Sequence, residues 1–186
     1  MKSIGLLLWL VCLLASSTFA QAACDVAQRE AWQKSGALKL QVEAHAFGPH
    51  CRNPIVALAV FNAEGDAIWS TSRMAQHVAM LGDEHTNKGL DMKNALAEWL
   101  KNAFETSPDS SADLPEWLKG ADQPARAEGE EFGFFAGQDV DQATYAAWRK
   151  DKLPIFCFVS GMESMACIIA DKSGDIHEIG GFTFPG

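Results

Sequence analysis

Positive charge is scarce in this chain: 15 lysines and arginines face 24 aspartates and glutamates, and the formal net charge is −9. An acidic surface repels phosphate backbones and anionic lipid headgroups, so binding to nucleic acid or to a membrane surface is not expected. The signatures of several enzyme classes are also missing. No glycine-rich phosphate cradle or dinucleotide loop is present, which removes the common nucleotide-binding motifs, and no motif implies a cofactor. There is no Gly-x-Ser-x-Gly elbow and no Ser-x-x-Lys, the local arrangements that activate a serine. No Cys-x-x-Cys appears, so the cysteines do not suggest a redox-active pair. No apolar run reaches the length that spans a bilayer.

The strongest positive signal lies at the N-terminus. Lys2, the apolar run Ile4 to Leu14 and the small-x-small Ala20-Gln21-Ala22 have the three parts of a secretory signal peptide. Residues 1–22 are expected to be removed, leaving residues 23–186 as one domain large enough to bury roughly 70% of its unfolded surface. No membrane insertion is expected after cleavage. Loss of Lys2 makes the mature chain more acidic by one charge, which favours solubility and attracts basic partners. A competing reading makes Cys24 a lipid-anchored residue. It fits less well, because Gln21 stands where a lipoprotein signal wants an aliphatic residue and Ser16-Ser17-Thr18 separates the apolar run from the cysteine.

Export would place the domain where thiols pair. Cys12 leaves with the leader, and Cys24, Cys51, Cys157 and Cys167 remain. Four cysteines allow three connectivities. Phe156-Cys157-Phe158-Val159 and Ala166-Cys167-Ile168-Ile169 read as strands flanking a turn near Met162, which places Cys157 opposite Cys167 and leaves Cys24 to pair with Cys51.

Along the chain, Asp25 and Gln28 resemble a capping box, so a short helix closed by Gly36 is expected first. Leu38, Leu40, Val42, Ala44 and Ala46 then alternate with polar residues, the pattern of a strand with one wet face. Ile55 to Phe61 reads as a central strand covered on both faces, and it turns through Asn62-Ala63-Glu64-Gly65 into Ala67-Ile68-Trp69. Leu90 to Phe104 carries apolar residues at helical spacing. Residues 106–131 read as a long acidic, proline-rich surface loop. Phe132 to Phe135 resumes strand, Asp139 caps a second helix facing inward with Val140, Ala143, Ala147 and Trp148, and the strands Ile155–Val159, Met165–Ala170, Ile176–Ile179 and Phe182–Phe184 follow. The expected class is α+β: an antiparallel β-sheet with two main helices packed on one face, stapled by two disulfides. Asn62 to Asp66 and Asp171 to Asp175 repeat one Asx-x-x-Gly-Asp hairpin turn.

Candidate chemistry is sparse. His45, His50, Cys51, His77 and His85 lie in the N-terminal half, but at no metal-ligand interval, so no metal site is expected. Asp171, Ser173, Asp175 and Glu178 alternate like a Ca²⁺ loop, although the glycine sits too early for an EF-hand. Ser160, Ser164 and His177 are the weak candidates for nucleophile and base. Glu130 with Glu131, and Asp139 with Asp141, are the paired carboxylates. Aromatic residues crowd the C-terminal half, and Trp117, Phe132, Phe134, Tyr145 and Trp148 are the candidate lining of an apolar pocket.

These features point to an exported non-catalytic domain that binds a small apolar ligand or a protein partner such as a basic envelope protein. A small hydrolase with a Ser/His or metal site assembled only in three dimensions is the alternative, and a structural envelope component the third reading. The mass of the chain recovered from the exported fraction should correspond to a start at Ala23. It should be lighter than the all-thiol form by the hydrogens of two disulfides. A diacylglyceryl adduct on Cys24 would overturn both statements.

Overall fold

Period-two alternation organises the first half of the chain. The computed structural model describes residues 23–82, 91–124 and 133–183. The segment 1–22 expected to be a leader, His85, Glu130, Glu131, Phe132 and Phe184 lie outside the described residues. Strands β1 (Cys24–Ala31), β2 (Gln41–Gly48), β3 (Ile55–Phe61) and β4 (Ala67–Met74) form an antiparallel meander in the order β1-β2-β3-β4. Its inner face is made by Val42, Ala44, Ala46, Val56, Leu58 and Val60, each at most 2% exposed. The strand expected to be covered on both faces is covered on one, since Ile55 is 38% exposed and the other outward residues of β3 are half-buried.

The helix expected at Asp25 is instead strand β1. Eight residues pair in register with β2, the Cys24–Cys51 disulfide fastens its start, and Asp25 bonds His45 across the strands at 2.7 Å. Long-range pairing here outweighs a local capping pattern, because each strand residue gains ladder bonds and the short helix would have buried little.

The second half builds a separate sheet. Strands β5 (Gly133–Ala136), β6 (Ile155–Val159), β7 (Ser164–Ala170) and β8 (Ile176–Thr183) pair antiparallel in the order β5-β8-β7-β6. The class is α+β, and both expected disulfides are present. Cys157 faces Cys167 directly across β6 and β7. The arrangement goes beyond one sheet with both helices on a single face. Helix α1 (Met92–Thr106) joins the core between the sheets, and helix α2 (Gln142–Asp151) belongs to a second core on the far face of the second sheet.

Strand β6 connects these layers. Phe156 and Phe158 enter the first core, while Ile155 and Cys157 enter the second. Phe156 lies 5.7 Å from Trp32 and 5.0 Å from Phe104 of α1, and Phe158 lies 6.1 Å from Trp69 of β4 and 6.2 Å from Trp99 of α1. These tilted and edge-on ring pairs join the first sheet, α1 and the second sheet. Buried within that cluster, the Trp32 indole N–H has no acceptor among the described residues.

As an edge strand, β6 would present unpaired backbone groups to water, and side chains seal it instead. The Ser107 hydroxyl accepts from the Cys157 amide at 2.7 Å and donates to the Ala103 carbonyl at 2.6 Å. Ser111 Oγ accepts from the Leu153 amide at 2.8 Å and donates to the Trp148 carbonyl at 2.6 Å. The Trp99 indole donates to the Val159 carbonyl at 3.0 Å.

The described part of the acidic loop is therefore structural as well as exposed. Its backbone carbonyls are held by Lys34, which reaches Ser107 and Pro108, by Arg149, which reaches Leu114 and Ala112, and by Gln142, which reaches Trp117 and Leu118. Asp141, rather than Asp139, caps α2 by accepting from the Thr144 amide, and that bond holds its carboxyl below the ordinary carboxylate range. The residue that α2 buries is Tyr145; Ala143 and Ala147 are exposed and Trp148 is half-buried. The separate strand expected at Phe182 is a continuation of β8 past a bulge.

Ser107→Ala would leave the Cys157 amide buried without a partner. Urea unfolding should show a loss of about 1–3 kcal/mol. Phe158→Ala should cost about 3–5 kcal/mol, because it opens a cavity where three elements meet.

Candidate functional site

The Gly180-Gly181 doublet sets the shape of a concavity at the end of the second sheet. Between Cys167 and Ile168 the β7–β8 register shifts, with Gly180 opposite Cys167 and Glu178 opposite Ile168. Gly180 has a φ of +145°, and a Cβ there would run into the Phe135 carbonyl oxygen; a Cβ on Gly181 would run into that of Met165. Only glycine permits this close approach and the bulge beside it. Past the bulge, the ends of β5, β7 and β8 form a cleft of about 530 Å³ with Arg73 of β4 at its rim.

Apolar and polar groups converge in that cleft. Phe135, 37% exposed, and Ala166 contribute carbon surface; Met165 and Phe182 border the cleft while packing against the second core. Asp139 and Glu178 place carboxylates on the lining, and neither has an ion-pair or hydrogen-bond partner among the described residues. Ser160 and Ser164 stand at the β6–β7 turn. The Ser160 amide donates to the Ser164 carbonyl at 2.9 Å, and the two hydroxyls are 3.3 Å apart.

His177 does not join them. It bonds Asp171 at 3.0 Å and lies against Trp148 with ring centroids 5.3 Å apart. It stands opposite Ile169, five residues along β7 from Ser164, a span of roughly 17 Å at the usual strand rise and on the opposite face. The described geometry therefore brings the two serines together and places the histidine in a different environment.

The aromatic candidates meet as packed rings. Trp117 and Phe134 lie 5.6 and 6.0 Å from Tyr145, and Phe134 lies 5.2 Å from Phe182. Phe134 and Tyr145 are fully buried in the second core, so these residues fill space rather than line a large pocket. The Tyr145 hydroxyl donates to the Pro115 carbonyl at 2.8 Å, and burial pushes its pKa up. A smaller hollow of about 250 Å³ lies beside Trp117, Tyr145 and Arg149.

Three of the residues considered for metal are engaged elsewhere. Cys51 is in a disulfide, His45 bonds Asp25, and His77 bonds Gln76. Asp171 Oδ1 accepts from the Ser173 amide and hydroxyl and from the Asp175 amide, completing the turn instead of a cation loop. Asn62 Oδ1 accepts from Glu64 and Asp66 in the same way, and Gly65 and Gly174 have φ of +91° and +93°. No group of three His, Cys, Asp or Glu side chains gathers among the described residues.

Sequence reading missed Arg73, Phe135, Asp139, Met165 and Glu178 as neighbours in one cleft. The signal that pointed there was the glycine doublet inside an otherwise strand-like run. No family model, curated protein or solved structure matches the chain.

Burial alone would raise the Asp171 carboxyl, but hydrogen bonds from Ser173, His177 and Asp175 outweigh it and lower its pKa to about 2. The folded value lies below the unfolded one, so the stabilisation is complete above about pH 4 and fades as pH falls through about 2. Asp171→Asn should cost about 1–2 kcal/mol at neutral pH and flatten the acid limb of a stability profile measured by urea unfolding.

Proposed function

We propose that the protein is an exported, non-catalytic binding protein whose cleft beside the β6–β7 hairpin takes a segment of a partner protein that is apolar and basic. The observation that carries this reading is the combination of exposed Phe135 with Asp139 and Glu178, whose carboxylates have no partner among the described residues, in one concavity. Apolar surface supplies contact area, and open carboxylates select positive charge. The lining sets two carboxylates against the single guanidinium of Arg73, so a basic protein segment complements it better than a purely apolar small ligand.

Export is supported by the leader-like N-terminus and by two disulfides, which persist in oxidising compartments. Among the described residues no helix is long and apolar enough to cross a membrane. Because Cys24 Sγ is bonded to Cys51, its sulfur is not available for a thioether lipid, which supports the cleaved form over the anchored one. The separation of His177 from the two serines supports binding over Ser/His hydrolysis.

The mature protein, immobilised, should capture a basic protein from the exported fraction and release it at high salt. Replacing Asp139 by Asn together with Glu178 by Gln should weaken that interaction by about tenfold, equivalent to 1.4 kcal/mol. Phe135→Asp should abolish it, while Leu118→Asp, outside the cleft, should leave it unchanged. An interaction indifferent to both salt and the cleft substitutions would reject this function.

A further inference from the structure

The four sheet edges differ in how they are protected. Side chains of Ser107 and Trp99 seal β6, and Gln123 accepts from the Ala136 amide on the outer edge of β5 at 2.9 Å. Edge strand β1 carries Asp25, Arg29 and Glu30, and its Arg29 pairs with Glu43 at 2.7 Å. Charged side chains discourage pairing at an edge. On strand β4 no described side chain bonds the outward backbone groups, and the strand carries one charge.

The Ala75 amide bonds the Pro54 carbonyl, which fixes the hydrogen-bonding phase of the β3–β4 pair. Trp69, Thr71 and Arg73 accordingly turn their backbone groups toward β3, while Ser70, Ser72 and Met74 turn theirs outward. These outward groups have no partner among the described residues. Arg73 is the only charged residue in β4. On the outer face of the first sheet Phe47 of β2, Ile55 of β3 and Ile68 of β4 are 36%, 38% and 37% exposed.

We infer that β4 pairs antiparallel with β4 of a second copy of this chain, extending the first sheet across a two-fold axis through Thr71. The sequence of β4 is self-complementary about that point. Ser70 falls opposite Ser72 of the second copy, so the outward N–H and C=O groups of both exchange hydrogen bonds. Trp69 falls opposite Arg73 of the second copy, a cation over an aromatic ring on each side of the axis. Moving the axis to Ser72 would instead bring the two arginines nearer each other along the ladder, which disfavours that register. Residue i meeting j and j meeting i gives a closed dimer instead of a filament. The register shift at the start of β4, between Val60 and Phe61, ends the regular stretch and limits the pairing to its second half.

Sedimentation equilibrium of the mature full-length chain tests this independently of any binding partner. The wild type should reach twice the monomer mass as concentration rises. Ser70→Lys with Ser72→Lys sets lysine against lysine at both pairs and should return the mass to that of one chain. Ser70→Glu with Ser72→Lys sets opposite charges against each other in the proposed register and should restore the dimer. Circular dichroism identifies which variants are folded. A wild type that stays monomeric, a dimer unaffected by the two lysines, or a folded charge-swapped variant that is as monomeric as the lysine pair would each overturn the inference.

Discussion

Strand β6 carries the constraint on which the other layers depend. Its five residues alternate between two cores, with Phe156 and Phe158 on one side and Ile155 and Cys157 on the other. A strand buried on both faces cannot slip by one residue without exchanging those sets. The Cys157–Cys167 disulfide locks its register to β7, and the rings of Trp32, Trp69, Trp99 and Phe104 lock its other face to β4 and α1. The consequence is that an edge strand lies in the interior. Its outward backbone groups must then be satisfied without water, which gives Ser107 and Trp99 their roles.

That requirement explains the acidic, proline-rich stretch after α1. A solvated loop would need only polarity, but this one contributes buried Ser107, Ser111 and Leu114. Lys34, Gln142 and Arg149 bind its carbonyls. Its conformation belongs to the stability of the second sheet. The cleft arises where the glycine doublet shifts the register of β8 and no described side chain fills the resulting space.

Several elements were legible because their causes are local. Period-two burial marked β2, the Asx-x-x-Gly-Asp turns marked two hairpins, helical spacing marked α1, and the apolar runs around Cys157 and Cys167 placed those cysteines opposite each other. The errors share one cause. Asp25 and Gln28 look like a cap, yet pairing over eight residues and the disulfide at Cys24 make β1. Asp139 looks like a cap, yet Asp141 performs that role and Asp139 enters the cleft. Both assignments depended on which distant segment was near.

By itself the sequence determined the acidic character, the α+β class and the cysteine pairing, since these follow from composition and short-range pattern. Tertiary structure alone decided that the strands form two sheets, that β6 is sealed while β4 is open, and that Phe135, Asp139 and Glu178 share a cleft. The reason is physical: alternation specifies which side of a strand is apolar, but not which surface covers it. That choice is made by packing among segments far apart in the chain, and the cleft lies where such packing stops.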